Sequence, residues 1–254
     1  MNLITSLKSI SEMPKPTLRL PVLFLVLFGL SSQGLSGQNT STVFSPDVTQ
    51  GASVVEYRLA FNPDNDGTAH RIHVQHGFTD SWRMRLIAAF RGSESNDTEF
   101  RYVRWEGLWQ FLEDEDAGWD SALRFELQLA DGDDRPSRVR VAWTGKVDLS
   151  DTWQLRGNFL TGHQFGAESS GGYLLEGRAQ LTRKVSDTWR VGFDWYGDFN
   201  DTDDIGSWDE QEHQFGPIFK YRLGSDWSGF INGLWGLSDS ASDFEGRITV
   251  IRKF

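Results

Sequence analysis

Residues 121–149 read SALRFELQLA, then DGDDRP, then SRVRVAWTGKVDL. In the first run Leu123, Phe125, Leu127 and Leu129 alternate with Arg124, Glu126 and Gln128. In the second, Val139, Val141, Trp143 and Val147 alternate with Arg138, Arg140, Thr144 and Lys146. A period of two, held through both runs, is the signature of β-strands with one apolar and one polar face. The six residues between them, three Asp with Gly132, Arg135 and Pro136, form a turn. Each run has about the length at which a tilted strand crosses a bilayer.

Working outward, the same alternation recurs in twelve stretches: 52–62, 69–78, 82–92, 99–112, 121–130, 137–149, 152–164, 172–184, 188–199, 212–223, 227–237 and 243–254. It is weak in 99–112 and 227–237, which leaves ten or fourteen strands open as alternatives to twelve. Connections alternate in kind. Short ones recur as Thr79-Asp80-Ser81-Trp82, Ser150-Asp151-Thr152-Trp153, Ser186-Asp187-Thr188-Trp189 and Gly224-Ser225-Asp226-Trp227. Longer, acidic ones lie between them at 63–68, 93–98, 131–136, 200–211 and 238–242; the link at 113–120 is a long exception on the short side.

Four short turns run straight into a tryptophan on the apolar face, which sets Trp82, Trp153, Trp189 and Trp227 at one level, as an interfacial belt requires. A soluble β-sandwich also alternates. The charged polar face, the two kinds of connection and the tryptophan belt favour a closed barrel in lipid, where an unpaired sheet edge is untenable because water is absent. The fold expected over 51–254 is an all-β, closed antiparallel up-and-down transmembrane β-barrel of about twelve strands, with short periplasmic turns and longer acidic outer loops.

Composition bounds the rest. The chain has 254 residues, 25 Lys+Arg against 36 Asp+Glu, 11 Trp and no Cys. No disulfide and no cysteine-ligated metal is possible, and an acidic chain does not suit a nucleic-acid partner. Lys8, Lys15 and Arg19 precede the apolar run Leu20–Leu30, and small residues follow at Ser31, Ser32, Gly34, Ser36 and Gly37. This order is that of a secretory signal peptide, expected over 1–36. Without it the chain carries 22 Lys+Arg and 35 Asp+Glu. Residues 37–50, a polar lead-in, are expected to lack fixed structure.

If the apolar face meets lipid, the other faces the lumen. Parity then puts Arg58, Arg71, Arg83, Arg85, Arg104, Arg124, Arg138, Arg140, Arg156, Arg178 and Arg190 inside, with Glu106, Glu126 and Glu176 among them. The whole inward set also takes in Arg91, Lys146, Lys220, Arg222, Arg247, Lys253 and, on the acidic side, Glu56, Asp148, Asp194, Asp198 and Glu245. Cations outnumber carboxylates there although the chain is acidic overall. Rings of Arg and Lys favour anions.

The layout resembles Gram-negative outer-membrane β-barrels and, more narrowly, the monomeric twelve-stranded porins that take up acidic oligosaccharides. The resemblance spans about 51–254 in strand count, turn placement and an Arg-lined lumen, and includes a terminal strand ending in an aromatic residue, here Phe254. It implies a porin-like channel for passive passage of small anionic solutes, monomeric and seated among outer-membrane lipids and lipopolysaccharide, with no cofactor, no resident metal and no catalytic residues. Two other readings stand beside it. One is an outer-membrane lipid-modifying enzyme using rim His163 or His213 with Ser169 or Ser170. The other is a barrel plugged by its own ion pairs, serving adhesion or envelope structure. In the loop 201–212, Asp201, Asp203, Gly206, Asp209 and Glu212 match a calcium-loop spacing that Ile205 breaks.

Overall fold

The computed structural model describes residues 40–63, 67–93, 96–114 and 116–254. The expected signal peptide, 1–36, lies outside the described residues.

Twelve strands form: β1 (Ser53–Asn62), β2 (Gly67–Gly77), β3 (Trp82–Ser93), β4 (Asn96–Asp114), β5 (Trp119–Ala130), β6 (Ser137–Asp148), β7 (Trp153–Phe165), β8 (Tyr173–Lys184), β9 (Trp189–Asp201), β10 (Glu212–Leu223), β11 (Trp227–Gly236) and β12 (Phe244–Lys253). Each pairs antiparallel with its chain neighbours, and β1 closes on β12 from Val54↔Lys253 to Phe61↔Gly246. Closure leaves no strand edge unpaired, which is the condition for crossing hydrocarbon.

Exposure decides which face is which. On β6, Val139, Val141 and Trp143 are 44, 42 and 40% exposed, while Arg140, Ala142 and Thr144 between them are 7, 2 and 1% exposed. The same inversion holds around the ring: Val74, Leu86, Leu129, Phe159, Phe193 and Ile231 point outward, and Glu56, Arg104, Glu126, Arg178, Asp194 and Glu245 are buried inside. Among the described residues, no second sheet covers the outward tryptophans and leucines. A polar interior within an apolar mantle is how a strand barrel meets lipid.

Three of the short turns are built alike. Phe78, Leu149 and Val185 donate their amides to the carbonyls of Trp82, Trp153 and Trp189 at 2.9, 2.9 and 3.0 Å. In each, the tryptophan amide donates to a hydroxyl three residues back: Thr79 (2.9 Å), Ser150 (3.1 Å) and Ser186 (3.1 Å). A side-chain oxygen thereby closes the turn. The fourth differs, turning on Gly224 at φ +70°.

Both weakly alternating stretches are strands, for separate reasons. In β4 the register jumps from Ala89↔Tyr102 to Phe90↔Phe100, and again between Gln110↔Ala122 and Leu112↔Ser121. A bulge inserts one residue and flips the face. In β11 the inward positions Phe230 and Leu234 are apolar, and Leu234 packs with Val43 and Tyr196 inside the barrel. The long link expected at 113–120 is shorter than that, because the strands pair as far as Asp114↔Trp119. Gly118 takes φ +63° there, a left-handed conformation that suits glycine.

Glycines on the outer face are covered by neighbouring rings. A Cβ added at Gly145 would meet Trp143 at 2.7 Å. The same indole donates to the Ser121 hydroxyl at 2.8 Å, which buries Ser121 although its position faces outward.

The lead-in is a correction. Residues 40–50, expected to lack fixed structure, run up inside the barrel: Thr40, Ser41, Thr42, Val43, Phe44 and Pro46 are all buried. A chain of polar character stays fixed when enough polar partners converge on it, and the lumen supplies them.

Candidate functional site

Five strands carry an acid and an arginine two residues apart, hence on one face: Glu56/Arg58, Arg104/Glu106, Arg124/Glu126, Glu176/Arg178 and Glu245/Arg247. All ten side chains are buried or nearly so, and each pair is joined. Cross-strand contacts link the first four into a belt. Arg85 reaches Glu106 at 3.7 Å and Glu56 at 3.9 Å; Arg104 reaches Glu126 at 3.3 Å; Arg140 joins Glu126 at 2.7 Å and Glu176 at 2.6 Å. Glu126 thus serves three guanidiniums, those of Arg104, Arg124 and Arg140.

The strap, residues 40–48, lies across this belt. Its carbonyls accept from the wall at successive positions: Thr40 from Arg58 (3.2 Å), Ser41 from Arg247 (2.9 Å), Thr42 from Arg178 (3.1 Å) and Ser45 from Arg83 (3.0 Å). The Phe44 carbonyl accepts from Thr144 (3.0 Å) and Asn158 (3.2 Å), and its amide donates back to Asn158 (2.7 Å). The Val48 amide donates to Gln110 at 2.9 Å, and Asp47 pairs with Lys146 at 2.5 Å. The Phe44 ring has the Arg124 guanidinium over it.

Above the strap, at the long-loop end, a cavity of about 320 Å³ opens, near the lower bound of small-molecule sites. Arg71, Arg91 and Arg138 line it, and no carboxylate lies within ion-pair distance of these three among the described residues. Arg71 stands 5.7 Å from the Tyr102 ring. Arg135, also at the rim, is taken by Asp134 at 2.5 Å; that hydrogen bond holds the exposed Asp134 carboxyl below its ordinary range.

All fourteen candidate residues therefore sit on the inward face, in three settings. Arg58, Arg85, Arg104, Arg124, Arg140, Arg178, Glu106, Glu126 and Glu176 form the belt. Arg71 and Arg138 face the outer cavity. Arg83 bonds Gln75 (2.5 Å) and the strap, Arg156 bonds Gln154 (2.9 Å), and Arg190 bonds Thr182 (3.2 Å) toward the short-turn end. Parity reasoning passed over Phe44, Thr144, Asn158 and Gln110. The one aromatic residue in QNTSTVFSPDVTQ was the available signal.

The rim histidines do not assemble a nucleophile and base. His163 faces the Gly172 carbonyl at 3.3 Å, while the hydroxyls of Ser169 and Ser170 donate to Gly166 (2.9 Å) and Gln164 (3.3 Å). His213 is fully buried under Trp208, with ring centroids 3.7 Å apart. In the 201–212 loop, carboxylates cap backbone amides: Asp201 accepts from Asp203 (3.0 Å) and Asp204 (3.2 Å), and Glu210 from Ser207 (2.6 Å). The Ser207 amide accordingly holds the Glu210 carboxyl low.

A closed twelve-strand antiparallel barrel, apolar outside and charged within, defines the class: a β-barrel of the transmembrane kind. Solved structures with this fold include the KdgM porin (12% identity, 79% of this chain and 99% of that one, TM-score 0.57) and the NanC porin (10%, 79% and 100%, 0.61). The COG4313 outer membrane channel from Pseudomonas putida F1 is similar too (10%, 82% and 98%, 0.60). KdgM has also been solved in complex with disordered oligogalacturonate. No protein-family model and no curated protein sequence matches the chain.

Proposed function

We propose that the protein is an outer-membrane channel through which small hydrophilic solutes diffuse, with a preference for anions. The observation that carries the preference is the outer cavity, where Arg71, Arg91 and Arg138 stand without ion-paired carboxylates among the described residues. Deeper in the lumen Arg58, Arg85, Arg104, Arg124, Arg140 and Arg178 are each ion-paired with Glu56, Glu106, Glu126 or Glu176, so the open cations stand at the mouth. Half-buried guanidiniums without an ion-paired carboxylate hold counter-anions or solute oxygens, because leaving such a charge uncompensated is costly. The similarity to porins of known structure supports the channel reading through the fold. The reading needs no catalysis, cofactor or metal. It places the chain as a monomer among outer-membrane lipids and lipopolysaccharide, exported by the segment 1–36.

The test is a reversal potential measured across a planar bilayer in a salt gradient. An anion-selective sign is expected; cation selectivity overturns the preference. The filled lumen favours a second reading, a closed barrel of structural role, and absence of any conductance would establish it.

A further inference from the structure

The strap is bound to the wall as a ligand is bound, and its bonds are of one kind. Among the described residues, no backbone-to-backbone hydrogen bond joins 40–48 to a strand; the first such tie is Gly51 to the Gly77 carbonyl at 2.8 Å. The holds described on 40–48 are wall side chains meeting strap peptide groups, the Lys146–Asp47 pair, and packing around Val43 and Phe44.

Withdrawing the strap breaks no ladder. Nor does it strip these wall residues of every partner. Arg58, Arg178 and Arg247 keep Glu56, Glu176 and Glu245, and Asn158 still donates to the Thr144 hydroxyl at 2.7 Å. What its removal opens is a set of single donors, Nη1 of Arg58, Arg178 and Arg247 and the Thr144 hydroxyl, each of which an incoming oxygen can take up. Here the guanidinium protons aimed at the strap carbonyls are surplus to the belt.

The spacing is also that of a ligand track. Carbonyls of Thr40, Ser41 and Thr42, one residue apart, go to arginines on β1, β12 and β8, and that of Ser45 to one on β3. The lumen thus grips an extended, oxygen-bearing chain from several sides. The tether below is short: Thr49 and Gln50 are exposed and lead to Gly51, at φ +75° with open space around it.

We infer that residues 40–48 are a displaceable internal plug, whose carbonyls hold the arginine positions that a solute's oxygens occupy during passage. This rests on the channel reading above. Hydrogen bonds formed and chain entropy lost nearly offset one another, so the plug is held in only by a small surplus, and the open state is a minor population.

The experiment compares single-channel records of the chain lacking 40–48 with those of the full chain. Time-averaged conductance is expected to rise about tenfold, the effect of releasing ~1.4 kcal/mol of closure. A synthetic peptide of sequence TSTVFSPDV, added to the deleted form, should restore the block. Equal conductance in both forms overturns the plug and leaves the channel standing. Absence of current from either form overturns both. If the deletion fails to fold, Phe44→Cys in the full chain decides, since the chain has no other thiol. A charged, membrane-impermeant methanethiosulfonate should react only with open channels and leave them open. Failure to react, or reaction as fast as at the turn position Ser225→Cys with unchanged current, overturns the plug.

Discussion

The Arg124 guanidinium carbon stands 3.3 Å from the centroid of the Phe44 ring, and the same guanidinium is paired with Glu126 on its own strand. One arginine thus joins the two layers of the lumen, the ion-pair belt on the wall and the strap across it. Desolvated cation–π contact of this kind is worth about 2 kcal/mol. The belt behind it sets the direction of the side chain.

Glu126→Gln is expected to be the most damaging single change in the barrel. It takes the shared carboxylate from Arg104, Arg124 and Arg140, and the Glu126 side chain is only 1% exposed. Breaking a buried pair by removing one partner costs about 3–5 kcal/mol. Urea unfolding in lipid vesicles measures it; a loss below about 1 kcal/mol, the value of solvent-screened pairs, means the belt is wet.

Arg71→Ala combined with Arg138→Ala should change selectivity with little effect on stability. Neither side chain has an ion-paired carboxylate among the described residues, and both line the outer cavity. The reversal potential in a salt gradient should move toward zero, while unfolding shifts by less than about 1 kcal/mol. An unchanged reversal potential moves the selectivity to another part of the lumen.

Trp143→Ala should destabilise from the lipid side. The indole covers Gly145 and donates to Ser121 at 2.8 Å. Losing a ring that shields a strand glycine costs about 1–2 kcal/mol. Gly145→Ala is expected to reproduce the loss, because its Cβ would meet the ring at 2.7 Å. If Gly145→Ala is neutral in vesicle unfolding, the ring has an equivalent seat elsewhere.

Ser150→Ala and Ser186→Ala should each slow assembly or lower stability by about 0.5–1.5 kcal/mol, the net worth of one hydrogen bond. Each hydroxyl accepts the amide of the tryptophan three residues on. Ser225→Ala is the matched control, since that hydroxyl donates to Asp226 at 2.5 Å in a turn closed differently. Equal effects at all three positions would assign the turns no special role.

What the amino-acid order settled alone was everything that depends on neighbours along the chain. Period-two alternation shows which side chains share a face, because successive residues of a strand must point oppositely. Turn residues such as Ser186-Asp187-Thr188 mark where strands reverse. Twelve strands, their two faces and the inward position of Arg124 or Glu126 were legible for that reason. The two weak stretches were harder: a bulge at β4 and apolar inward residues on β11 both erase alternation, and only pairing distinguishes them. Tertiary structure decided what depends on approach between distant segments. Residue 44 meets residues 124, 144 and 158 because a closed barrel brings three strands within reach of one axis. No local pattern in a polar, irregular segment encodes that convergence, since the groups it offers are peptide groups, which every residue has. Which Arg pairs with Glu176 and which stands open at the mouth likewise follows from strand register and side-chain reach, quantities that exist only once the barrel has closed.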